Sequence, residues 1–214
     1  MALVDIAKET GDVDRTHGIN QVLKHFKENK YTVNNVLDLF AGDGSFCSWL
    51  LYSLETKDGN LPNIDHLELD QELYDKLVDR FGRHRNNCYN VDSYKFIEDP
   101  SKLYDTVFCD NGMWDHEYFN VIPYLTDFFL GAKYFIHNIN VRPYNGFKNN
   151  SVWGKNRSEF YGMKDTTDCD PEDLMEATYQ RLKENNLDVN YGVFFPRELY
   201  NGHIYLYHVL WKIN

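Results

Sequence analysis

Val36-Leu37-Asp38-Leu39-Phe40-Ala41-Gly42-Asp43-Gly44-Ser45-Phe46 decides the fold. An apolar run carrying one acid ends in a glycine turn, and apolar residues at helical spacing follow at once. Gly42 and Gly44 can take positive φ and let the backbone approach a ligand closely. The N–H groups opening the next helix then point at whatever sits before the turn. The stretch therefore predicts a ligand-binding turn at the carboxyl end of a strand.

Outward from this unit, strands and helices alternate. The first strand is Asn35 to Phe40, and a helix from Ser45 to Leu54 places Phe46, Trp49, Leu50 and Leu54 on one side. Strand two is Ile64 to Leu69, followed by Asp70 and a helix from Gln71 to Phe81 closed by Gly82. Strand three, Cys88 to Val91, leads into Asp92-Ser93, and strand four, Tyr104 to Cys109, into Asp110-Asn111-Gly112. A helical stretch over His116 to Leu130 contains Pro123, a kink or fresh start. Strand five is Lys133 to Ile139.

Asp170-Pro171-Glu172-Asp173 starts a helix that runs to Asn185, with an acid at the cap and Pro in the first turn. Two strands follow without a helix between them, Asp188 to Phe195 and Ile204 to Lys212, separated by Pro196 and Asn201-Gly202. This order predicts an α/β three-layer sandwich: a seven-stranded, mostly parallel sheet ending in an antiparallel C-terminal pair. Residues 1–32 form an arm and a helix (Ile19, Val22, Leu23, Phe26), residues 33–214 the domain, and 141–169 a polar, aromatic insertion.

At 214 residues and 43% apolar, the chain suits one well-buried domain. Its net charge of −11 argues against whole-surface attraction to nucleic acid or anionic membrane, and leaves room for a local basic patch. Met1 to Asp12 has neither the basic nor the apolar region of a secretory signal, and no apolar stretch is long enough to span a membrane. Cys47, Cys88, Cys109 and Cys169 are scattered, which reads as reduced thiols in a cytoplasmic protein and gives no clustered metal ligands.

In an open α/β sheet, ligands bind outside the carboxyl ends of the strands. Here those ends are Asp38 to Gly44, Glu68 to Asp70, Asp92-Ser93 and Asp110 to Gly112, each with an acid after an apolar strand. Asp38-x-Phe40-x-Gly42-x-Gly44, followed by this series, resembles the class I S-adenosylmethionine (SAM) methyltransferases in the D-x-F-x-G-x-G form of their first motif. The resemblance implies a SAM site made by Asp38, Phe40, Ala41, Gly42, Asp43, Gly44, Glu68, Leu69, Asp92, Ser93 and Asp110. Asp38 and the turn would hold the methionine part, Glu68 the two ribose hydroxyls, Asp92 with Ser93 the adenine, and Asp110 the neighbourhood of the sulfonium.

Two departures bear on this reading. Phe40 stands where the commoner G-x-G-x-G form has its first glycine, a replacement that recurs in family members acting on DNA or RNA. Asp110-Asn111-Gly112-Met113-Trp114 keeps the acid of the amino-methyltransferase tetrad but lacks its prolines, and the chain has no Pro-Cys nucleophile of the cytosine-5 type. A dinucleotide-binding turn wants G-x-G-x-x-G, yet Cys47 occupies the third glycine position; no G-K-[ST] follows to make a P-loop.

Methyl transfer to oxygen or nitrogen needs a positioned acceptor and at most one general base. Asp110 is the first candidate and His116 the second, with Asp115 and His137 behind them; a lone strand-end histidine is commonly structural. Asn111 and Trp114 lie beside the acid for acceptor contact. Between 141 and 169, Arg142, Lys148, Lys155, Arg157 and Lys164 interleave with Tyr144, Phe147, Trp153, Phe160 and Tyr161, a pattern that suits phosphate contact and base stacking. Arg142, Lys155 and Arg157 are the expected contacts to an RNA or DNA acceptor, slightly favoured over a small metabolite. A SAM-binding protein without transferase activity and a NAD(P)-dependent oxidoreductase are the alternatives.

Overall fold

The computed structural model of the protein describes residues 17–44, 48–81, 87–110, 119–141, 152–166, 169–198 and 204–214. Seven strands form one sheet: β1 (Asn35–Asp38), β2 (Asn63–Glu68), β3 (Asn87–Asn90), β4 (Thr106–Cys109), β5 (Tyr134–Asn140), β6 (Val193–Glu198) and β7 (Ile204–Lys212). Their order is β3-β2-β1-β4-β5-β7-β6. β1 to β5 pair in parallel, whereas β7 runs antiparallel to both β5 and β6. The chain leaves the centre at β1, builds outward to β3, then returns to β4 beside β1, so the switch point falls at the glycine turn.

Period-two alternation gives the sheet two buried faces. One carries Leu37, Leu67, Val107, Phe135, Val209 and Trp211, the other Val36, Ile64, Phe108, Ile136 and Leu210. Helix α1 (His17–Glu28) covers the second face with Ile19, Val22 and Phe26, spaced for one side of a helix and all buried. Removing those three side chains from water stabilises the docking by roughly 5–8 kcal/mol before the cost of ordering the helix. Helices α2 (Gln71–Phe81) and α3 (Ser93–Glu98) follow β2 and β3, and α4 (Val152–Tyr161) and α5 (Pro171–Glu184) lie between β5 and β6.

Local structure departs from the expected elements in six places. The described part of the first helix is a 3-10 turn, Ser48–Ser53, in which Leu50 and Leu51 are buried while Trp49 turns outward. The stretch after strand four is likewise a 3-10 helix, Phe119–Leu125, because Pro123 has no N–H for an α-helical bond and crowds the preceding turn. Asp92 begins the short helix α3, and α4 forms inside the polar insertion.

At the C-terminus, β6 begins at Val193 rather than Asp188, with Val189 making only a bridge to Ile213. Gly192 lies flat against Trp211, where a side chain would meet the indole at 2.8 Å. Pro196 sits inside β6 instead of ending it, which an edge strand tolerates. Among the described residues, no helix is long and apolar enough to cross a membrane.

Candidate functional site

The turn after β1 has the shape a ligand-binding loop needs. Phe40, Gly42 and Gly44 have φ of 53°, 59° and 70°, so Phe40 holds the left-handed conformation that glycine would adopt at no steric cost. Phe40 N–H donates to Ser93 Oγ (3.3 Å), and its ring packs edge-on against Tyr94. Gly44 is pressed onto α2: a Cβ there would meet the Phe81 ring at 2.3 Å. Gly42 has the opposite surroundings, with none of the described residues within 4 Å of where its Cβ would be. One glycine closes the turn onto a helix, and the other has none of the described residues in that direction.

Glu68 meets the backbone of the same turn. Its Oε2 accepts from Gly42 N–H and its Oε1 from Asp70 N–H, both at 2.8 Å, so one carboxylate joins the ends of β1 and β2. Each of its oxygens keeps a second lone pair for a ligand hydroxyl. Leu69, next along the rim, is 64% exposed. Asp92 Oδ1 caps α3 by accepting from Tyr94 N–H (2.9 Å), and Ser93 is buried with its hydroxyl turned to Phe40. Arg80 Nε donates to the Asp43 carbonyl (2.9 Å), fixing the far side of the turn to α2. Asp38, Glu68 and Asp92 thus share one edge of the sheet.

Asp38 lies deeper than its neighbours on that edge. It is buried, and its Oδ2 is 2.6 Å from His66 Nδ1, directly across the β1–β2 ladder. His66 Nε2 lies 2.7 Å from the Tyr52 hydroxyl, and its ring stacks on Phe81. Burial first, and the Asp38 charge second, raise the Tyr52 pKa far above the usual phenol range. The phenol therefore keeps its proton and donates to Nε2, while Nδ1 carries the ring proton and donates to Asp38. Burial, with Asp38 and Asp65 behind it, also pushes the nearby Cys88 thiol up to about 11.

Across β1, the second half of the edge carries a polar row. Phe108, Ile136 and Leu210 are in register on β4, β5 and β7. Two residues further, at the carboxyl end of β4 and β5, the same face presents Asp110, Asn138 and His208. Asp110 Oδ1 accepts from Asn138 Nδ2 and lies 2.9 Å from His208 Nε2, with Asn138 also at 2.9 Å. His137 points to the other face: Trp211 Nε1–H donates to its Nε2 (2.8 Å), so Nδ1 carries the proton and donates to the Asn138 carbonyl (3.0 Å). Its ring serves packing and backbone pairing.

The expected acceptor residues divide. Asn111, Trp114, His116 and Arg142 lie outside the described residues, as do Asp115 and Lys148. Lys155 is exposed on α4. Arg157, expected at the surface, is fully buried: its guanidinium donates to the Thr166 and Asn140 carbonyls and lies over the Tyr161 ring. It fastens α4 to the end of β5. Asn138 and His208 escaped sequence reading, because only the β5–β7 register brings them to Asp110. Among the described residues, no group of three or more His, Cys, Asp or Glu could hold a metal ion.

This topology, with its glycine turn at the switch point, is the class I SAM-dependent methyltransferase fold. No protein-family model matches the chain. It is similar to a SAM-dependent methyltransferase of Leishmania major, at 13% identity and a TM-score of 0.62 over 95% of this chain and 74% of that one. It is also similar to the plantazolicin methyltransferase BpumL in complex with SAH and a triazolic desmethyl analogue, at 10% identity and a TM-score of 0.62 over 99% and 89%. In sequence, it resembles the tRNA1(Val) (adenine(37)-N6)-methyltransferase of Flavobacterium psychrophilum, 28% identical over 88 residues. That match takes in 39% of this chain and 36% of the relative's length.

Proposed function

We propose that the protein is a SAM-dependent methyltransferase acting on a nitrogen or oxygen of its acceptor, with nucleic acid favoured over a small metabolite. The observation that carries this is the Glu68 carboxylate, tied to Gly42 N–H and Asp70 N–H beside a glycine whose Cβ direction none of the described residues fills. A nucleoside fits such a place: Glu68 can accept from two ribose hydroxyls, Leu69 offers an apolar flank for adenine, and Asp92 closes the rim. When bound, SAM supplies an electrophilic methyl group on sulfur. The chain's part is to orient donor and acceptor, exclude water and receive a proton at Asp110.

Two things favour nucleic acid: the Phe40 form of the turn, and the similarity to a tRNA methyltransferase over part of the chain. The inward turn of Arg157 removes one charge from the basic segment and leaves Lys155 and Lys164 as its described cations. Calorimetric titration with SAM, SAH and NAD is the first test, and labelled-methyl transfer into fractionated RNA, DNA, protein and metabolites the second. SAH binding and labelling of an RNA pool are expected. SAH binding with no labelled pool would make this a binding protein of the same fold, and binding of NAD alone would end the reading.

A further inference from the structure

We propose that His208, carried on the antiparallel strand β7, is a positioning residue for Asp110, which takes the acceptor's proton. This rests on the methyltransferase reading above. His208 lies 98 residues from Asp110 in sequence, yet its Nε2 is 2.9 Å from Asp110 Oδ1, with the two side chains 0% and 4% exposed. Asn138 Nδ2 donates to the same oxygen from the strand between them. One carboxylate oxygen is thus gripped by two neighbouring strands, which fixes the plane of the carboxyl group.

Stability alone explains this cluster poorly. Burying a carboxylate with an imidazole costs desolvation that their attraction only partly offsets, and an apolar pair of similar volume would stabilise the sheet as well or better. The row just behind it, Phe108–Ile136–Leu210, is apolar. Polarity begins where the edge faces the switch point, on the strand end where the acceptor must lie. The other buried histidines of the sheet differ: His137 is held by Trp211 and a carbonyl, and His66 lies behind the turn between Asp38 and Tyr52.

The first turn of α1 is shaped around the same ring. A Cβ on Gly18 would meet His208 Nδ1 at 2.3 Å, so α1 can dock there only because residue 18 has no side chain. Helix, imidazole and carboxylate form one stack.

In the reaction, the acceptor nitrogen or oxygen forms its bond to the methyl carbon with its own lone pair. The carbon–sulfur pair leaves with the sulfur as a neutral thioether, and the acceptor's proton passes to Asp110 and then to water. An aspartate that swings loses the alignment this transfer needs. His208 holds it.

The test compares full-length wild type with His208→Gln, His208→Leu and Gly18→Ala. Each is titrated with SAH, and each is assayed for methyl transfer into whichever pool the wild type labels. SAH affinity is expected to stay within about threefold in all of them, since the ring lies away from the Glu68 rim. His208→Leu and Gly18→Ala should lower kcat roughly tenfold to a hundredfold with the KM for SAM unmoved, and His208→Gln, which keeps an N–H donor, should recover most of it. Should His208→Leu fail to fold, Gly18→Ala carries the comparison, because it displaces the ring while every polar group stays in the chain.

Unchanged kcat in Leu and Ala, or equal loss in Gln and Leu, overturns the positioning role and leaves the methyltransferase reading standing. A wild type that binds no SAH, or labels no pool, overturns both.

Discussion

The two halves of the sheet's carboxyl edge are built differently. From β1 to β3, the two rim acids are fixed by backbone N–H groups: Glu68 by Gly42 and Asp70, and Asp92 by Tyr94 of the helix it caps. From β4 to β7, Asp110 is fixed by side chains from two other strands, one of them antiparallel. Backbone ties hold a constant ligand in one geometry and leave little for side-chain variation to alter. Side-chain ties can be exchanged residue by residue, which would suit an acceptor side under the proposed function.

The largest effect on stability should come from the half built on β4 to β7. Arg157→Ala strips the Asn140 and Thr166 carbonyls of a donor and opens a space beside Tyr161, and should cost about 3–4 kcal/mol in urea unfolding. Lys155→Ala, two residues away on the exposed side of α4, should stay within about 0.5 kcal/mol. It should instead lower the salt dependence of RNA binding. Equal stability losses in the two variants would show that α4 has no distinct inner face.

Next comes Asp38. Its carboxylate is the acceptor for His66 inside the sheet, so its loss should be felt in stability. Asp38→Ala should destabilise the protein by about 2–3 kcal/mol by leaving the His66–Tyr52 pair without its end partner. Glu68→Gln turns one of two accepting oxygens into a donor facing a backbone N–H, so it should cost about 1–2 kcal/mol of stability and weaken SAH binding by about 1–3 kcal/mol. Were Asp38→Ala to lose affinity without losing stability, the separation of a buried acid from a rim acid would collapse.

The acids of this edge are legible in sequence because their signals are local. An apolar strand, then an acid, then Gly or a helix start can be seen within ten residues, and Asp38, Glu68, Asp92 and Asp110 all came from that pattern. The mostly parallel sheet with its antiparallel C-terminal pair followed from the alternation of elements and from the two closing strands. What stayed hidden is set by pairing across the sheet or by packing. His208 meets Asp110 only through the register of β7 on β5, and Arg157 turns inward because the end of β5 presents carbonyls that need a donor. A charge between aromatics looks the same in sequence whether it faces water or a ring.

Phe40→Gly should give the smallest change and tests the turn itself. The substitution restores the residue type that takes a φ of 53° freely, and relief of that strain should add about 1 kcal/mol. It also deletes the edge-on contact with Tyr94 and the part of the ring packed against the core, so the net change should be a loss of about 1 kcal/mol. The Phe40 N–H to Ser93 bond and the Gly42 N–H to Glu68 bond are made by the backbone and do not depend on the ring. SAH affinity should therefore stay within about threefold if the loop's shape does the binding. A tenfold loss would show that the phenyl ring touches the ligand, and would make Phe40 a contact by its side chain, not only by its backbone.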